Sequence, residues 1–174
     1  TMRYQKEPET EPFESYRVSD EVKETVAEVI DDVRTDGDEA VFRYTERFDD
    51  VDRKTNRLTE EEKKEAYDAV SDEERRIIDN STENIRQFAE AQLDHVKEFE
   101  VEMEDGITLG QTIKPINRVG AYVPGGQYPL LSSALMAVVP ADVAGVETVT
   151  VAMPPQEDGI PHPAAVYGAD QAGA

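Results

Sequence analysis

The chain has 174 residues, enough for one domain with a hydrophobic core, and 39 acidic against 18 basic residues give it a formal charge of −21. That charge repels nucleic-acid phosphates and anionic membrane surfaces, both of which need clustered Lys and Arg, so neither is expected as a partner. The absence of cysteine removes disulfide frameworks, thiolate metal sites and thiol catalysis.

The charge is not evenly spread. Residues 1–105 hold 34 acidic and 16 basic side chains, a net of −18, and residues 106–174 hold 5 and 2, a net of −3. A carboxylate-rich front with Arg in excess of Lys (11 to 7) reads as a folded surface adapted to high internal salt, where screening is strong. With no apolar run of membrane-spanning length and no basic-then-apolar leader, a cytoplasmic location is expected.

In chain order, residues 1–19 are polar and proline-containing and read as an extended lead-in. From Asp20, Val22, Val26, Val29, Ile30 and Val33 fall on one helical stripe, which Gly37 ends. A second helix is expected over about Glu39–Phe48, with Val41, Phe42, Tyr44 and Phe48 available for burial. Thr59 with Glu62 and Ser71 with Glu74 match the capping box and start two further helices. The second of these is long, with Ile78, Ser81, Ile85, Phe88 and Gln92 as its expected inward face. Residues 20–98 thus form a helical layer.

The period then changes. Phe99, Val101 and Met103 alternate with glutamates, Asp105-Gly106 marks a turn, and Ile107, Leu109 and Ile113 alternate again, which predicts a β-hairpin. Arg118–Val123 reads as a buried strand, broken by Pro124-Gly125-Gly126. Leu130–Ala144 follows as a nearly uncharged helix that needs cover on most sides. Thr148–Ala152 is a second strand, Pro154-Pro155 a loop and Pro163–Ala172 a further helix. Strand, glycine turn, helix, strand, helix is the opening of a parallel doubly wound sheet. The fold class is therefore α/β: a mostly helical N-terminal layer with a β-hairpin, then an incomplete Rossmann-like sheet over residues 99–174. Because Ala174 stands where a third strand falls due, the chain is expected to be the front part of a longer protein.

By chemistry alone, Tyr122-Val123-Pro124-Gly125-Gly126 carries two readings, a plain tight turn or a cradle for a phosphate-bearing cofactor at a helix N-terminus. The three-glycine dinucleotide fingerprint is absent. The run from Arg118 to Pro155, with its V-G-x-Y-V-P-G-G turn, Ser-x-L-M helix, P-A-x-V-A-G-V segment and terminal Pro-Pro, resembles the histidinol dehydrogenase family. Val33–Asp50, around Gly37-Asp38, and Asn84–Phe88 with Gln92 resemble it in the same order.

The resemblance implies a zinc-requiring, NAD-dependent oxidation of an alcohol to a carboxylate by two hydride transfers, L-histidinol to L-histidine, in a homodimer. It places Tyr122 on NAD, with Gly125 and Gly126 as turn residues beside it. It also places the zinc ligands and the catalytic Glu-His pair beyond Ala174, so no metal or catalytic residue is assigned in this chain, which alone is expected to be inactive. The run Gln127-Tyr128-Pro129-Leu130-Leu131-Ser132-Ser133, and Gly106–Gly110 upstream, look more like the sulfopropanediol dehydrogenase branch, which makes a small polyol the alternative substrate. A stand-alone acidic module without chemistry is the alternative of another class.

Other candidates are weaker. Ser132 and Ser133 can cap or begin the helix after the turn, or touch substrate. His95, at the end of the long helix, and His162, between two prolines, have no companion at ligand spacing and read as structural. Met103, Met136 and Met153 read as core fillers.

Overall fold

The structure is a computed structural model that describes residues 18–125 and 130–174. The expected lead-in up to residue 17, and Gly126 with the three residues after it, lie outside the described residues. Four helices come first: α1 (Asp20–Asp36), α2 (Asp38–Asp49), α3 (Glu60–Ala69) and α4 (Asp72–Leu93). A hairpin of β1 (Phe99–Glu104) and β2 (Ile107–Gln111) follows, and then β3 (Arg118–Tyr122), α5 (Leu131–Val143), β4 (Thr148–Ala152) and α6 (Pro163–Ala172).

Local chemistry sets most helix ends. Ser19 Oγ accepts from Val22 N–H to open α1. Gly37, at φ 61°, closes α1 through its N–H to the Val33 carbonyl and is also the first cap of α2, so one glycine makes the joint. Both capping boxes form. Glu62 N–H donates to Thr59 Oγ1 (3.1 Å) while Thr59 N–H donates to Glu62 Oε2 (2.7 Å), and Ser71 and Glu74 repeat the exchange.

The core is built around α5. Leu135, Val138 and Val139 sink between Val70 and Ile78 of the helical layer, Val149 of β4, and Ala164, Tyr167 and Ala172 of α6. Tyr167 stacks edge-on against Tyr67 at 4.9 Å between ring centroids and donates to Asp79 Oδ1 (3.0 Å), so α3, α4 and α6 meet at one polar-tipped aromatic pair. Burial and the bond to the Asp79 carboxylate both push the Tyr167 phenol upward from its ordinary pKa, keeping it a neutral donor.

Strands β3 and β4 pair in parallel, Arg118 with Thr148 through Tyr122 with Ala152, with α5 as the crossover. This is the expected start of a Rossmann-like sheet. The hairpin also forms as expected, with Val101 opposite Leu109 and Phe99 opposite Gln111.

Four expectations about burial are corrected. The inward face of α4 is Ile78, Thr82 and Ala89 with half-buried Ile85, while Phe88 is 67% exposed and Gln92 also faces out. Helix α4 meets α5 through Ile78 and Ile85, which pack with Leu135, Val138 and Val139, and Phe88 lies off that contact. In β3 only Ala121 is fully buried, because helices cover one face of this two-stranded sheet. Helix α5 is left uncovered at Met136, and of the methionines read as core only Met153 is even half-buried; Met103 and Met136 are about 60% exposed. Helix α1 buries no residue, and its Val22, Val26 and Ile30 remain open.

Candidate functional site at the carboxyl end of the parallel pair

Parallel α/β sheets place ligands beyond the carboxyl ends of their strands, where the loops diverge. In this chain that edge is Tyr122 to Gly125 after β3 and Met153 to Pro155 after β4. Strand alternation decides which side chain points out. Ala121 and Val123 are buried, and Tyr122 between them is 71% exposed. Val123 fixes this arrangement. Its side chain packs with Ala134 of α5 and Ala169 of α6, and its N–H donates to the Ala152 carbonyl (2.9 Å), which extends the ladder one residue past the strand.

Among the described residues Tyr122 is therefore not part of the packed core. An amphipathic ring held on a rigid strand end, with its hydroxyl turned to solvent, can lie against a planar group and bond outward.

Gly125 has a steric reason to be glycine. Its φ lies outside the left-handed region, but an ideal Cβ built on it would stand 2.2 Å from Cγ of Pro154. The turns after β3 and β4 thus touch backbone to ring. Gly126, the other glycine expected at the site, lies outside the described residues.

Helix α5 begins just beyond. Leu130 is its first cap and makes no side-chain cap bond, so among the described residues the N–H groups of Leu131 and Ser132 face no acceptor and suit an anion or water. Ser132 and Ser133 begin this helix rather than cap it. Ser132 is exposed, and Ser133, half-buried, donates its N–H to the Leu130 carbonyl (2.9 Å). Tyr122, Gly125 and the opening of α5 are brought to one end of the sheet, as the strand–turn–helix reading requires.

The two histidines lie elsewhere. His162 is the first cap of α6, where Nδ1 accepts from Ala164 N–H (3.3 Å), and His95 Nδ1 donates to the Ala91 carbonyl (2.7 Å) at the end of α4. Among the described residues no three or more His, Asp or Glu side chains are grouped to hold a metal ion. A cavity of about 380 Å³ is walled by Lys63, Lys64, Tyr67 and Arg75 with Glu60, Asp68 and Asp170, away from Tyr122. Its cations are already engaged: Lys63 with Glu60, Lys64 with Asp68, and Arg75 with the Val70 and Tyr67 carbonyls. Two residues escaped sequence reasoning, Val123 as the anchor and Pro154 as the wall. Pro154 read only as loop, since nothing local shows that it meets a glycine 29 positions earlier.

The family model for histidinol dehydrogenase matches residues 14–174. The chain belongs to the histidinol dehydrogenase family. It is 44% identical over 155 residues to a histidinol dehydrogenase of Methanosarcina barkeri and 40% identical over 154 residues to one of Methanocaldococcus jannaschii, alignments that cover 89% and 88% of the chain. It spans about 36% of the length of each of these relatives. The crystal structure of histidinol dehydrogenase from Elizabethkingia anophelis superposes with a TM-score of 0.83 at 31% identity, over 90% of this chain and 36% of that one. Among the described residues no helix is long and apolar enough to cross a membrane.

Proposed function

We propose that this chain is the N-terminal part of a zinc-requiring, NAD-dependent dehydrogenase that oxidises L-histidinol to L-histidine, and that Tyr122 contacts the NAD. The observation that carries the cofactor assignment is the 71% exposure of Tyr122 at the carboxyl end of a parallel strand whose flanking residues are buried. Gly125 seats the turn beside it against Pro154, Gly126 is proposed as a second turn residue, and the N–H groups of Leu131 and Ser132 at the start of α5 suit a phosphate. When bound, NAD accepts a hydride from the alcohol carbon; the residues described here would bind and orient it. No metal-ligand group stands among them, so no step is derived through zinc. Ser132 and Ser133 are proposed as substrate-side neighbours of the turn. A cytoplasmic homodimer acting on a small-molecule alcohol completes the proposal. The Gln127-Tyr128-Pro129 run supports a second reading within the family, a sulfopropanediol-like polyol as substrate.

The test uses the full-length enzyme. In the 174-residue chain, where Tyr122 is mostly exposed, Tyr122→Ala should change stability by no more than about 0.5 kcal/mol, and in the full-length enzyme the melting temperature is read beside the affinity. The substitution should weaken NAD binding by about 1–3 kcal/mol, the range for losing a packed, hydrogen-bonded side chain. Calorimetric NAD titration with melting temperatures alongside reads both, and unchanged NAD affinity would remove the assignment. Turnover of histidinol compared with sulfopropanediol decides the substrate. The 174-residue chain alone, given histidinol, NAD and zinc, should form no NADH.

A further inference from the structure

Resting on the reading of Tyr122 as an NAD contact, we infer that Pro154 is a positioning residue for that site: its ring is the wall against which the Tyr122–Gly125 turn is set, and the absent side chain of Gly125 is the space that lets it seat. Three observations carry this. The first is the contact itself. A Cβ on Gly125 would lie 2.2 Å from Pro154 Cγ and 3.4 Å from its Cβ and Cδ, with no other atom nearer. A pyrrolidine ring is bonded into its own backbone and cannot swing aside as a long side chain would. The second is that Gly125 is not demanded by backbone conformation, since its φ lies outside the left-handed region, so the requirement for glycine is one of space. The third is the framework. Tyr122 pairs with Ala152, Val123 N–H bonds the Ala152 carbonyl, and Met153 packs beside Val123. The chain from Ala152 to Pro154 therefore runs alongside the chain from Tyr122 to Gly125, which starts in register at Ala152 and ends against Pro154. The ladder fixes Tyr122 on the strand side, and the Pro154 ring fixes the turn three residues later, so the two constraints bracket the aromatic ring and the loop beside it.

The consequence is a size complementarity between two turns that the sequence separates by a whole helix and strand. A side chain at 125 pushes the turn off Pro154 and misplaces the cofactor-facing edge, and removing the ring from 154 makes room for it. Misplacement of reacting groups by about 1 Å costs on the order of a hundredfold in rate.

The experiment is a cycle in the full-length enzyme of Gly125→Ala, Pro154→Ala and the double variant, with Tyr122→Ala measured in parallel. The readouts are KM for NAD, kcat and melting temperature. Gly125→Ala should raise KM for NAD by about tenfold or more, and adding Pro154→Ala should bring it back to within about threefold of wild type. A merely structural role would instead lower the active fraction, and with it kcat, at unchanged KM. An unchanged KM in Gly125→Ala overturns the inference, as does a raised KM that Pro154→Ala fails to restore. If Gly125→Ala does not fold, the double variant decides: folded with near wild-type KM it supports the pairing, and unfolded it overturns it. Tyr122→Ala separates the two ideas. Unchanged NAD affinity there sinks the cofactor reading, whereas weakened affinity with failed rescue sinks only the role of Pro154.

Discussion

Arg53 shows how one side chain can tie together stretches that local pattern keeps apart. Its guanidinium donates to the Gly159 carbonyl (2.7 Å), the Thr55 carbonyl (3.1 Å) and Glu62 Oε2 (3.2 Å), pinning the loop before α3 to the turn before α6. Glu62 in turn accepts from Thr59 N–H, so its carboxylate serves both the ion pair and the capping box. The Arg53 hydrogen bond, then the Thr59 backbone N–H, hold the Glu62 carboxyl below its ordinary value of 4.5. A depressed folded value means the contribution is complete above that ordinary value and is lost as pH falls through the folded one. Glu62→Gln should therefore destabilise the protein at neutral pH, and the gap to wild type should close on acidification. Denaturant melts of both proteins from neutral pH to about pH 3 test this, and a gap independent of pH counts against it. Arg53→Met, which strands the Gly159 carbonyl and the Glu62 charge, should cost about 2 kcal/mol. None of this was legible in the sequence beyond the capping box, because Arg53 and Gly159 lie 106 positions apart. The exposed setting of Tyr122 was not legible either: the strand reads as buried throughout, and alternation leaves Tyr122 open only because helices cover one face of the sheet.

At the scale of elements, the ends and types were legible and the depths were not. Capping boxes, the Asp105-Gly106 turn and the prolines act within a few residues, so Thr59, Ser71 and Gly106 could be read directly. Burial depends on what arrives from elsewhere. The face of α4 illustrates the difference: the observed stripe of positions 78, 82, 85 and 89 and the expected stripe of positions 78, 81, 85, 88 and 92 share Ile78 and Ile85, and what packs on the helix chooses between them. It chooses the stripe on which Ile78, Thr82 and Ala89 are buried, with Ile78 and Ile85 packed against the α5 core. Two substitutions make the choice measurable. Leu135→Ala, in a side chain 2% exposed and surrounded by α4, α5 and α6, should cost about 2–5 kcal/mol. Phe88→Ala, in a larger but 67% exposed residue, should change stability by about 0.5 kcal/mol or less in this chain. Equal losses in urea melts would mean that the inward stripe has been misassigned.

For the whole molecule the balance is between a strong negative charge and a single well-packed centre. The buried apolar residues gather around α5, α6 and the ends of α3 and α4, while α1 exposes Val22, Val26 and Ile30 and the hairpin exposes Phe99, Val101, Met103, Ile107 and Leu109. The amphipathic stripe of α1 was legible from its spacing, but spacing cannot say what faces it. Against this partial core stands a net of −21, with −18 of it on the first 105 residues. The ion pairs among the described residues are mostly solvent-exposed, such as Lys23–Asp20 and Lys54–Asp52, and pairs of that kind contribute little. Repulsion between the unpaired carboxylates therefore outweighs the attraction that salt would also screen. Melting temperature and helical circular dichroism should rise as potassium chloride goes from tens of millimolar upward, most steeply where the Debye length shrinks from about 30 Å at 0.01 M to about 10 Å at 0.1 M. Strengthened burial of apolar groups also raises stability in salt, but it grows with concentration into the molar range and depends on the anion, sulfate acting more strongly than chloride. At matched ionic strength below about 0.1 M the two salts should therefore act alike if charge screening is the cause. A melting temperature that is flat or falls over that low-salt range would remove the reading of this surface as one adapted to high salt.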